Sequence, residues 1–155
     1  MLSRLSEMLS MKWWITIGIV VIVLGLGLGL GLWLGLGGTG AALSSPTATV
    51  SSWFNAAEAK NAEQMADCWY FASDAERTAF INSVNASFAT VDSISGTNRN
   101  ITVISQTDTT ATVRASYHLK IVLTAGYGGG TTESDETETY ALQKHDGNWL
   151  IHNIY

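Results

Sequence analysis

The chain is short of charge, of basic residues above all, and has only one cysteine and one proline. Of its 155 residues 14% are charged, and thirteen acids against eight bases leave a formal net charge of −5. So few lysines and arginines exclude a nucleic-acid partner, because binding to phosphates needs a basic face. The single cysteine, Cys68, excludes an intramolecular disulfide, so the folded part is held by packing and Cys68 reads as a small buried hydrophobe. With no second cysteine, and no two of His118, His145 and His152 at the spacing of a metal pair, a zinc site is not expected. No cofactor is expected either. Gly128 to Gly130 lacks the lysine and helix that complete a phosphate loop and fits a hairpin instead, and no serine stands in a nucleophile elbow.

Charge is absent altogether from Trp13 to Leu36, a run of 24 residues. As a helix rising 1.5 Å per residue this stretch crosses a hydrocarbon core of about 30 Å with some tilt, so it is predicted to be a transmembrane helix. Lys12, Trp13 and Trp14 supply a charge stop and an aromatic belt at one end. Arg4 and Lys12 precede the run and the next basic residue is Lys60, which puts residues 1–12 in the cytoplasm and the rest of the chain outside it. A cleaved signal peptide ending near Thr39 and Ala41 is the competing reading, but its apolar region normally spans ~7–15 residues. No cysteine directly follows the run, which excludes a lipoprotein anchor. Within it Gly27, Gly31 and Gly35 share one helical face, and Gly25 with Gly29 lie nearly opposite. Such small-residue tracks allow another helix to approach closely, although a Leu/Gly repeat also generates them by composition alone.

Residues 37–45, rich in Gly and Ser, read as a flexible linker. Residues 46–155 form one α+β domain. Ser45 followed by Pro46 starts a helix whose apolar face is Val50, Trp53, Phe54 and Ala57. Asn61 with Gln64 and Ser73 with Glu76 have capping-box spacing and start two more. Met65, Cys68 and Trp69 give the second its apolar face, and Phe80, Ile81, Val84 and Phe88 the third. After Asp92 the period changes from 3.6 to 2. Ile101 to Gln106 is predicted as a strand. From Thr110 to Thr124 the odd positions are apolar and the even ones include Arg114, Ser116, His118 and Lys120, so one face is buried and one wet. Gly126 to Gly130 is a flexible connection to a strand over Thr132 to Lys144, and Asp146-Gly147 is a tight turn into the last strand. Three helices packed on an antiparallel sheet of about four strands is an α+β order.

The Pro-led helix, the short helix with Ala62, Met65 and Trp69, and the terminal Asp146-Gly147-Asn148-Trp149-Leu150-Ile151 hairpin resemble the NTF2-like, cystatin-like α+β superfamily. The resemblance covers about Pro46 to Tyr155. It implies a bent sheet wrapped around a long helix to form a cone, whose interior is catalytic, ligand-binding or simply filled. It also implies a layout known from membrane proteins in which such a domain behind one N-terminal helix serves as an accessory or assembly subunit. Fold analogy by itself does not assign function.

Enzymatic members of the superfamily place an acid or base inside the cone. His118 falls on the wet side of its strand, His145 in a turn and His152 on a strand of mixed burial. Asp67 is placed to enter a pocket mouth as a base or to lie solvated on its helix. Glu133, Asp135, Glu136 and Glu138 alternate across both faces of one strand, which suits a solvated edge better than a calcium site. Trp53, Trp69, Tyr117, Tyr140 and Trp149 are candidate pocket-lining residues, with core packing the plain alternative. Asn85 and Asn100 head glycosylation sequons, a pattern frequent by chance in a chain rich in Ser and Thr.

With no catalytic group assembled, the sequence favours a non-enzymatic, single-pass membrane subunit. It would present its domain outside the cytoplasm and meet another membrane protein, or itself, through the glycine faces. The alternatives are a pocket for a small apolar ligand, with or without acid–base chemistry, and a filament subunit packed through its N-terminal helix.

Overall fold

A computed structural model describes residues 43–155. The transmembrane helix expected over 13–36, with Gly25, Gly27, Gly29, Gly31 and Gly35, lies outside the described residues. Among those residues no helix is long and apolar enough to cross a membrane.

Three helices come first: α1 (Pro46–Glu58), α2 (Ala62–Asp67) and α3 (Asp74–Phe88). Each starts on the cap expected from its sequence. Ser45, Asn61 and Ser73 hold extended backbone and accept hydrogen bonds from the amides of Ala48, Gln64 and Glu76, which satisfies one orphan donor per helix. Glu76 Oε2 reaches back to the amide of Ala72 at 3.0 Å and satisfies a second donor beside α3. Pro46 fits the first turn of α1 because no amide is required there.

Four antiparallel strands follow in the order β1 (Val91–Gln106), β2 (Thr110–Leu123), β3 (Gly130–His145) and β4 (Asn148–Ile154), each beside its sequence neighbour. β1 is ten residues longer at its start than the Ile101–Gln106 strand predicted from β-branched residues. Its first half, Val91 to Asn100, lacks a clear alternation but pairs with β2 from Val91↔Leu123 to Asn100↔Ser116. Pairing overrides local propensity there. The expected Gly126–Gly130 connection contains a single 3-10 turn at Ala125–Tyr127, then Gly128, Gly129 and Gly130, all with positive φ. Asp146 and Gly147, at φ 49° and 87°, close the β3–β4 hairpin as expected.

The odd residues of β2 face the helices. Val113 and Ala115 are fully buried, and Tyr140, Leu142, Trp149 and Ile151 extend the same face over β3 and β4. Against it α1 sets Val50, Trp53, Phe54 and Ala56. Each large apolar side chain so buried contributes ~1.5–3 kcal/mol. A smaller apolar group, Val91, Ile121 and Leu123, forms a separate cluster, with Leu119 touching both. Polar side chains occupy the inner face between the two.

Candidate functional site

The inner face of β3 is lined by even-numbered residues. Because Tyr140 and Leu142 point to the core, strand alternation sends Glu138, Glu136 and Ser134 to the same side, and all three are half-buried. This corrects the reading of Glu133, Asp135, Glu136 and Glu138 as one solvated acidic strand. Only Glu133 and Asp135 are outside, where they pair with Lys120 and His118. Register then sets Glu138 opposite Ala115 and Glu136 opposite Tyr117 on β2.

Glu138 is the centre of a polar cluster on the inner face. Tyr140 donates its hydroxyl to Glu138 Oε2. Tyr117 stands beside the same carboxyl, and the indole of Trp53 on α1 stands beside the Tyr140 hydroxyl, near enough for each to influence its neighbour's ionisation. Burial pushes the Glu138 carboxyl above the ordinary glutamate range. The two phenols oppose that rise, and the neighbouring charge of Glu136 adds to it. Both phenols are pushed up as well, chiefly by burial and then by the charge of Glu138. They therefore stay protonated and act as donors. Glu136 accepts from the Ser134 hydroxyl at 2.6 Å.

The rim is built by β1 and the end of α1. β1 skips register between Thr97 and Asn100, with Asn98 at φ 53°. That bulge turns Arg99 inward. Its guanidinium pairs with Glu58, bonds Asn55 Oδ1 at 2.9 Å and lies over the Phe54 ring at 5.2 Å. Glu58 also accepts from the Gly96 amide at 2.6 Å. Burial raises the Glu58 pKa, but the bonds from Arg99 and Gly96 outweigh it and the net shift is downward. Gly96 leaves room for this arrangement: a Cβ there would stand 3.3 Å from Arg99 Nε and 3.6 Å from the Tyr117 ring. Phe54 meets Tyr117 edge-on at 4.6 Å.

The remaining sequence candidates lie elsewhere. Of the five predicted lining residues, Trp53, Tyr117 and Tyr140 converge on Glu138. Trp69 packs on Trp53 and stacks on Phe80, and Trp149 lies beneath Lys144. Asp67 is held by Arg77 at 2.8 Å on the helical surface. Asn85 on α3 and Asn100 on β1 are exposed. Cys68 is buried, and burial followed by the charge of Asp67 pushes its thiol up to about 12. His118 is on the outer face, where hydrogen bonding to Asp135 raises its pKa.

His145, expected in the turn, is the last residue of β3, and its Nε2 lies 2.9 Å from that of His152, seven positions on. Tyr70 stacks on both rings, at 4.5 and 4.4 Å. Burial, then the charge of His145, lowers His152 to about 4, so its imidazole is neutral at pH 7.

Glu58, Gly96, Arg99, Glu136 and Glu138 were all missed by sequence reasoning. For Glu136 and Glu138 a signal existed, since they share parity with Tyr140 and Leu142. Arg99 left none, because a bulge breaks the parity on which such reading depends.

No family model matches the chain, and no curated protein matches it in sequence. Solved structures do. A protein of Novosphingobium aromaticivorans assigned as an aromatic ring hydroxylase superposes with a TM-score of 0.59 at 12% identity, over 68% of this chain and 80% of that one. An NTF2-like superfamily protein of Salmonella enterica gives 0.56 at 10% identity, over 70% and 84%. A Streptomyces avermitilis protein assigned as a dehydratase of the NTF2-like family gives 0.53 at 14% identity, over 69% and 89%. The domain has the NTF2-like fold. The resemblance in element order extends to three dimensions, and in this NTF2-like domain the Glu138 network stands on the inner face of the sheet.

Proposed function

We propose that the inner face of the NTF2-like domain binds a small, largely apolar molecule and that Glu138 exchanges a proton with it. The observation that carries this reading is a carboxyl with a raised pKa, held between two protonated tyrosines among aromatic side chains. A carboxyl moved toward neutrality is suited to take up and return a proton, and phenols beside it stabilise charge on a ligand oxygen. Two of the structural neighbours are assigned as a hydroxylase and a dehydratase, which is support by analogy of fold. The accessory-subunit reading ranks behind this one because its motive was the lack of assembled acid–base groups. The uncharged run at 13–36 supports placing the pocket on a membrane tether outside the cytoplasm.

The test uses the full chain with cyclohexanone, phenol and benzyl alcohol as probes. At least one probe should raise the melting temperature, and proton NMR in D2O should show deuterium entering cyclohexanone next to its carbonyl. Glu138→Gln should abolish the exchange, while His118→Gln keeps it. Failure of every probe to shift melting, or exchange that survives Glu138→Gln, overturns the proposal. Recovery of the chain in the soluble fraction after cell lysis would overturn the tether.

A further inference from the structure

The His145–His152 pair is remote from Glu138 in role and bonding, and three features of the fold create it. Asp146-Gly147 turns β3 back into β4. The β3–β4 register passes from Leu142↔Ile151 to Ala141↔Asn153, so His152 is the extra residue of a bulge and escapes strict alternation. Tyr70 is pinned alongside by its amide, which donates to the Ile151 carbonyl at 2.9 Å, and its ring covers one face of both imidazoles. Two Nε2 atoms at 2.9 Å admit only one proton between them, so one nitrogen presents a lone pair to the other's N–H. The rings lie within 17° of one another, with centroids 5.1 Å apart.

We infer that His145 and His152 bind one copper(II) ion through both Nε2 atoms, the ion taking the place of the proton between them. The ligand type decides the class of ion. Two imidazole nitrogens suit zinc, copper, iron or nickel, and their 2.9 Å separation puts both within reach of one ion once the hydrogen bond between them opens. Tetragonal nitrogen–oxygen sites select copper(II) or nickel(II), and copper is the tighter across the first-row series. On binding, each ring pivots about its Nε2 so that the lone pairs converge, and the proton moves to Nδ1 of its own ring. Among the described residues no third His, Cys, Asp or Glu joins the pair, so the two imidazoles are the side-chain ligands of this type and water would complete the coordination.

Titration of the full chain with copper sulfate against glycine as a weak competitor tests the site. One equivalent should bind, with an electron paramagnetic resonance spectrum showing hyperfine coupling to two nitrogens, and nickel chloride and zinc chloride should bind at least tenfold more weakly. His145→Gln and His152→Gln should each weaken copper at least tenfold, and His118→Gln should leave it unchanged. Copper binding that is unaffected by the two former variants, or lost with the latter, overturns the inference. If a variant fails to fold, the unaltered chain gives the answer. Copper should protect His145 and His152, but not His118, from diethylpyrocarbonate, read by peptide mass. Protection of His118 alone, or of no histidine, would sink the site.

Discussion

At the scale of single residues, environment decides what each ionisable group does. Glu138 and Glu133 are the same residue type on one strand, yet burial raises the first and the Lys120 hydrogen bond lowers the second. A raised carboxyl means that the folded chain keeps its proton at a pH where the unfolded chain has lost it. Glu138 therefore costs no stability below the ordinary glutamate pKa of ~4.3, and its cost grows as pH rises through the folded value. Glu138→Gln keeps an acceptor for Tyr140 without the charge. Thermal melting should show it more stable than the parent at pH 7, with the difference vanishing near pH ~4. A variant that is less stable at pH 7 would show that the ionised carboxylate is itself part of the packing. Cys68 illustrates the opposite outcome. Buried, with its Sγ 3.4 Å from the Gln64 carbonyl and its thiol pushed up to about 12, it should ignore a disulfide reagent in the native chain and react fully in guanidinium.

Between elements, a few polar contacts fix what the apolar packing leaves free to slide. Thr49 is fully buried on α1, and its hydroxyl donates to the Trp149 carbonyl at 2.8 Å, locking the helix to β4. Thr49→Val conserves shape and deletes that donor. Urea unfolding should register a loss of about 1–3 kcal/mol, the cost of a buried acceptor without its partner. The two bulges act at the same scale, since one turns Arg99 to the inner face and the other places His152 beside His145. The edge of β4 is shielded as well: the Tyr70 amide donates to Ile151, and the Ile151 amide donates to the Cys68 carbonyl.

For the molecule as a whole, the sheet, its covering helices and the polar gap between the two apolar clusters make one arrangement. The main cluster joins α1, α2 and α3 to β2, β3 and β4, while Val91, Ile121 and Leu123 close the far end. The ion pair of Arg99 with Glu58 holds the end of α1 to β1. Arg99→Met keeps much of the side-chain volume and leaves Glu58 without its cation. It should lower the melting temperature by a few degrees, equivalent to about 1 kcal/mol. It should also weaken any probe bound beside Glu138, because the Arg99 charge acts on the Tyr117 phenol that stands beside that carboxyl. Unchanged melting and unchanged probe binding would place Arg99 outside both the gap and the pocket.

The element order was legible in the sequence because it depends on local signals. Ser45-Pro46, Asn61 with Gln64, and Ser73 with Glu76 announce helix starts by satisfying nearby amides, and the alternation from Thr110 to Thr124 reports a sheet wet on one side only. Trp53 and Tyr117 were legible for the same reason, since period alone assigns them to buried faces. Tertiary structure decided the rest. Whether Glu138 is solvated or held depends on β2 and α1 supplying Tyr117 and Trp53, contributed from 21 and 85 positions away. Arg99 and His152 are set by bulges, whose location follows from how two strands pair and not from either strand alone. By itself the sequence determined which faces exist, and only the fold decided which side chains meet across them.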